Sequence, residues 1–125
     1  MDKIKILIID DEEAVLKMYK IAFDETEFET LLASNGKNGI EIARTKNPNA
    51  ILLDILMPEF NGLDTLKKLK EDEKTKNIPV YLLTNIQEGG VTEQAMKLGA
   101  EKYFMKAEYE PARLAKEIKN ILVKK

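Results

Sequence analysis

The 125-residue chain has no cysteine and no histidine. Without cysteine there is no disulfide and no thiolate metal site, so packing alone must hold the interior; a reduced compartment is compatible with this. Without histidine the chain loses the commonest acid/base at neutral pH, the usual imidazole metal ligand and any phosphohistidine of its own. A charge excess of one sign is also missing: 20 Lys and Arg stand against 22 Asp and Glu. A net charge of -2 leaves no basic footprint for direct nucleic-acid binding. No run approaches the roughly 20 apolar residues of a membrane span, and "MDKIKILIID" lacks the length and small-residue cleavage pattern of a secretory leader. A soluble cytoplasmic protein without a membrane partner is the expectation. Its chemistry must rest on carboxylates, hydroxyls and amines.

What is present is an ordinary globular mixture, 44% hydrophobic and 34% charged, long enough for one domain over residues 1–125. Five short apolar runs read as strands: Ile4 to Ile9, Phe28 to Ala33, Ala50 to Leu53, Pro79 to Leu83 and Lys102 to Met105. Helical spacing fills the intervals. Ala14, Met18, Ile21 and Ala22 form one stripe, and Leu114, Ile118, Ile121 and Leu122 another. Weaker stripes run through Leu63, Leu66 and Leu69, through Val91, Ala95 and Leu98, and through Ile40 and Ala43. Strand and helix alternate five times, which argues for a parallel sheet covered by helices on both faces. The unbroken apolar character of "ILII", "AILL" and "VYLL" suits strands buried on both sides. Gly36, Gly62, Gly99, Pro48, Pro58 and Pro79 fall at or between element ends.

In open parallel sheets, ligands bind beyond the carboxyl ends of the strands. Those ends carry Asp10 and Asp11 after strand 1, Asp54 after strand 3, Thr84 after strand 4 and Lys106 after strand 5; Ala33 and Ser34 after strand 2 offer little. Singly, each has an ordinary reading. Asp11 suits a helix N-cap, with Glu12 and Glu13 favouring the positive end of the first helix. Thr84 suits a buried β-branched position, and Lys106 is one lysine among many. Together they say more. Three carboxylates at one edge repel and require a compensating cation. Oxygen donors without imidazole or thiolate favour a hard ion, best a partly hydrated Mg²⁺. Metal, hydroxyl and ammonium together suit a dianionic phosphoryl group, with one aspartate as nucleophile.

The ordered motifs "IIDDEE", "LLDILMPEFNG", "VYLLTN" and "KYFMK" resemble those of the receiver domain of two-component response regulators, over essentially the whole chain. The resemblance implies a flavodoxin-like (βα)5 fold with strand order 2-1-3-4-5, for which a chemotaxis regulator is a reference case. It also implies that Asp54 is the phosphoacceptor. Asp11 and Asp54 would hold Mg²⁺ through their side chains, joined by the backbone carbonyl of Leu56, with Asp10 acting mostly through coordinated water. Thr84 is similar to the switch hydroxyl, Lys106 to the lysine that contacts the phosphoryl oxygens, and Tyr103 to the switch aromatic. The implied donor is the phosphohistidine of a sensor histidine kinase or phosphotransfer protein. The output is a change on the surface of helix 4, strand 5 and helix 5 that a downstream effector reads, as a monomer or a phosphorylation-dependent dimer.

The sequence departs from the family pattern after Lys106, where family members usually have proline in a cis peptide and this chain has Ala107. Apolar Leu56 and Ile86, each two places beyond a site residue, are expected to hinder water and slow loss of the phosphoryl group. Two other functions compete. A pseudo-receiver would keep the fold and bind partners without phosphate, which intact Asp11, Asp54, Thr84 and Lys106 argue against. A phosphatase of external substrates would typically carry a second aspartate two residues after the nucleophile, where this chain has Leu56. A nucleotide or flavin site is disfavoured because no glycine-rich loop follows strand 1.

Overall fold

The computed structural model describes residues 3–55, 62–84 and 90–124. Five parallel strands, β1 (Ile4–Ile9), β2 (Phe28–Ala33), β3 (Ala50–Asp54), β4 (Val80–Thr84) and β5 (Lys102–Met105), form one sheet in the order β2-β1-β3-β4-β5. The helices between them are α1 (Glu13–Glu25), α2 (Gly36–Lys46), α3 (Gly62–Glu71), α4 (Val91–Lys97) and α5 (Pro111–Val123). The architecture is the parallel sheet expected from the alternation, in the flavodoxin-like (βα)5 form and strand order that the resemblance implies.

Strand periodicity divides the core into two layers. Leu7, Ile9, Ile51, Leu53, Val80 and Leu82 pack with Ala43 of α2, Leu66 and Leu69 of α3 and Ala95 of α4. The alternate residues Ile6, Ile8, Leu52, Tyr81, Leu83 and Phe104 pack with Leu16, Tyr19 and Phe23 of α1 and Leu114 and Ile118 of α5. Successive side chains of a strand point to opposite faces, so a strand with helices above and below must be apolar throughout. That accounts for the uninterrupted "ILII" and "AILL".

Local signals set the helix ends. Asn35 caps α2 by accepting a hydrogen bond from the Asn38 backbone N–H at 2.8 Å, and Asn47 closes it in the left-handed region at φ 48°. Pro111 begins α5, where its missing N–H costs nothing. Gly99, at φ 114°, turns the chain out of α4 toward β5.

Four expectations are corrected. The buried face of α1 is Leu16, Tyr19, Ala22 and Phe23, whereas Met18 and Ile21 of the expected stripe are 51% and 62% exposed. Two apolar stripes compete on this helix, and the one with a leucine and two aromatic rings buries more area. Strands β3 and β4 each run one residue further than expected, so Asp54 and Thr84 lie within the sheet. Pro79, read as the start of strand 4, precedes it. Asp11 does not cap α1; the Asp10 carboxylate accepts the Glu12 backbone N–H at 3.0 Å. After β5 the chain enters a 3-10 turn, Lys106–Glu108, and no cis peptide occurs among the described residues, so the Lys106–Ala107 bond is trans.

Candidate functional site

The register brings the acids together. Ile9 pairs with Leu53, so one further step along both strands sets Asp10 beside Asp54. Both continue the alternation of Ile8 and Leu52, and Lys106 continues that of Phe104, so all three fall on the α1 and α5 side of the sheet. The Lys106 ammonium stands 3.4 Å from the Asp10 carboxylate and 3.5 Å from that of Asp54. Asp10 is 1% exposed, Asp54 5% and the Lys106 side chain 16%. Asp11, one step out of phase, is exposed. Thr84, 2% exposed at the end of β4, follows Leu83, which pairs with Asp54. Gly62 keeps α3 against this edge: a Cβ there would lie 2.5 Å from the backbone of Ile55, the residue after Asp54. Leu56 and Ile86 lie outside the described residues.

Burial pushes the Asp10 carboxyl above its ordinary value; the Glu12 backbone N–H and the Lys106 ammonium pull it part of the way back, and Asp11 opposes them. One ammonium thus sits between two buried carboxylates at distances longer than ideal charge-assisted bonds. Negative charge remains in excess. Beside it, the carboxylates of Asp10, Asp11 and Glu12 lie within 4.8 Å of one another. These oxygen donors fit a hard divalent cation. Asp54 is outside that trio and is tied to Asp10 through Lys106.

Two residues of this site escaped sequence reasoning. Glu12 joins the carboxylate cluster as the third acid of an unbroken run, a position that by sequence suits only the helix dipole. Tyr19, 4% exposed on α1, is pushed up to about 12 by burial and then by the nearby charges of Asp10 and Asp54. Its signal was a polar-tipped aromatic spaced with Leu16 and Phe23. Tyr103, at the sequence-predicted switch position, projects from β5 and is 37% exposed.

The family model for the response regulator receiver domain matches residues 6–119. The polar-differentiation response regulator DivK of Brucella anthropi is 33% identical over 101 residues, covering 81% of this chain and 82% of that protein. Among solved structures, a CheY-like receiver domain protein from Methanospirillum hungatei superposes with a TM-score of 0.88 at 24% identity, over 98% of this chain and 96% of the other. A Francisella response regulator receiver domain gives 0.83 at 28% identity, over 98% of each.

Proposed function

Because the chain belongs to the response regulator receiver domains of two-component signalling, we propose that it accepts a phosphoryl group on Asp54 from the phosphohistidine of a histidine kinase or phosphotransfer protein. A carboxylate oxygen of Asp54 attacks phosphorus, the nitrogen–phosphorus bond breaks, and the donor imidazole keeps that electron pair. The observation that carries this reading is the placement of Lys106 within 3.5 Å of both buried carboxylates. A phosphoryl group on Asp54 adds roughly -1.5 to -2 in charge, and the ammonium already stands at that carboxylate to meet it. Thr84, buried at the neighbouring strand end, supplies a neutral hydroxyl donor. Asp10, Asp11 and Asp54 would hold Mg²⁺, with Glu12 beside them and the Leu56 carbonyl as a further ligand; the ion supplies positive charge for the phosphoryl oxygens.

Phosphorylation then shifts a two-state equilibrium. Thr84 moves toward the new oxygens, and Tyr103 follows into the space vacated. The surface of α4, β5 and α5 changes for a downstream effector, in a monomer or a phosphorylation-dependent dimer. Residues 1–125 act as one cytoplasmic receiver unit, which turns over no external substrate, contacts no nucleic acid directly and loses its phosphoryl group slowly because of Leu56 and Ile86.

The test is incubation with acetyl phosphate or beryllofluoride and Mg²⁺, comparing the wild type with Asp54→Ala. A mass gain with acetyl phosphate, or a spectral change with beryllofluoride, is expected in the wild type and lost in the variant. No response in either protein refutes the reading, and rapid loss of phosphate from the purified protein refutes the slow-release part of it.

A further inference from the structure

Lys106 is the first residue of the 3-10 turn Lys106–Glu108, and that turn does little to fix itself. Its closing hydrogen bond, from the Tyr109 N–H to the Lys106 carbonyl, is 3.4 Å long, and no side chain caps its start. Packing from α1 is also incomplete, because a cavity of about 730 Å³ separates Val15, Met18 and Tyr19 from the turn and has Lys106 in its wall. A long side chain on a loosely held turn is a poor way to keep an ammonium between two carboxylates.

Support comes from beyond the turn. The Tyr109 ring stands edge-on to the buried ring of Phe104 at 5.1 Å and 88°, which ties the end of the turn to β5 two residues before Lys106. The Arg113 guanidinium lies 4.9 Å over the same Tyr109 ring. Its Nη1 also donates to the Glu108 carbonyl at 3.3 Å. Phe104, Tyr109, Arg113 and Glu108 thus close a ring of contacts around the backbone that carries Lys106, anchored at one end in the core and at the other in the first turn of α5.

We propose that Tyr109 and Arg113 clamp the turn after β5 and position the Lys106 ammonium at Asp10 and Asp54, making them positioning residues for phosphoryl acceptance. The proposal rests on the role given above to Lys106. It predicts that loss of the Tyr109 ring or of the Arg113 side chain frees the ammonium without removing it. A misplacement of one ångström costs on the order of 100-fold in rate; partial loosening is expected to slow phosphorylation about tenfold.

Two measurements on the full chain test this. In the unphosphorylated protein, the Lys106 side-chain ammonium resonance is identified by its disappearance in Lys106→Met. It is expected to be resolved in the wild type and in Tyr109→Phe, which keeps the ring, and to broaden or vanish in Tyr109→Leu and Arg113→Ala. With acetyl phosphate and Mg²⁺, those last two variants are expected to react about tenfold more slowly, with Tyr109→Phe near the wild-type rate. On a Lys106→Met background, Arg113→Ala should slow the reaction no further. Wild-type rates and an intact ammonium resonance in Tyr109→Leu and Arg113→Ala overturn the proposal, as does a full additional loss on the Lys106→Met background. If the wild type takes no phosphoryl group, the proposed function fails, and the ammonium resonance alone then decides whether the clamp exists. Thermal unfolding of each variant separates a freed lysine from an unfolded domain.

Discussion

Ile9 and Asp10 are adjacent in the chain and equally closed to solvent, at 0% and 1% exposure, yet they act in opposite directions. Ile9 lies in the layer with Ile51, Leu53 and Leu66, where full burial of an aliphatic side chain contributes about 1.5–3 kcal/mol. Asp10 follows directly after the strand, and its burial disfavours the charged form and raises its carboxyl pKa. The same change recurs from Leu53 to Asp54 and from Leu83 to Thr84. The strand bodies hold the fold together, and the polar residues of the candidate site stand at their carboxyl ends. At this edge, burial of a carboxylate costs stability rather than adding to it.

The contrast breaks most sharply in the strand bodies. Leu52→Ala removes a fully buried side chain flanked by Ile8 and Tyr81 in the layer under α1 and α5, and is expected to cost about 2–5 kcal/mol in urea unfolding. A smaller but clear loss is expected for Gly62→Ala, because the added methyl would lie 2.5 Å from the Ile55 backbone and must push α3 off the sheet edge. Overpacking of that kind costs about 1–3 kcal/mol, and phosphorylation should slow along with the loss, since the displaced backbone follows Asp54 directly.

The edge should behave in the opposite sense. Asp10→Asn in metal-free buffer at neutral pH is expected to raise the melting temperature, because it removes a carboxylate whose charged form is disfavoured by burial. The sign of its pH dependence follows. With the folded value above the ordinary 3.8, the native state holds the proton longer. Stability from this group is full below 3.8 and falls as pH rises through the folded value, so the advantage of Asn should vanish in acid and grow toward neutrality. A variant less stable than wild type at neutral pH would show that the Lys106 contact outweighs the burial cost. The smallest effect belongs to the surface: Lys20→Ala breaks the exposed pair with Asp24 at 2.7 Å and should shift stability by about 0.3–0.5 kcal/mol, and less at high salt.

Much of the fold was legible because it rests on local pattern. Ile4–Ile9, Phe28–Ala33 and Lys102–Met105 are strands at the bounds their apolar runs suggest. The buried face of α1 is not legible in the same way, since Met18 and Ile21 form as regular a stripe as Leu16, Tyr19 and Phe23, and only the volume available under the helix decides between them. The site was legible as a set of residues in the right order. Its internal arrangement was not. That Lys106 reaches both Asp10 and Asp54 follows from strand register and side-chain parity, and that Glu12 joins the carboxylate cluster follows from the turn into α1.

The sequence by itself determined the five-fold alternation of strand and helix and the polar residues that end the strands, because hydrophobic period and chain order are local properties. The tertiary structure decided which of those residues meet. Pairing β1 with β3 and β3 with β4 converts separations of tens of residues into neighbouring strand ends. The two-residue repeat of the strands then selects Asp10, Asp54 and Lys106 for one side of the sheet and leaves Asp11 in solvent.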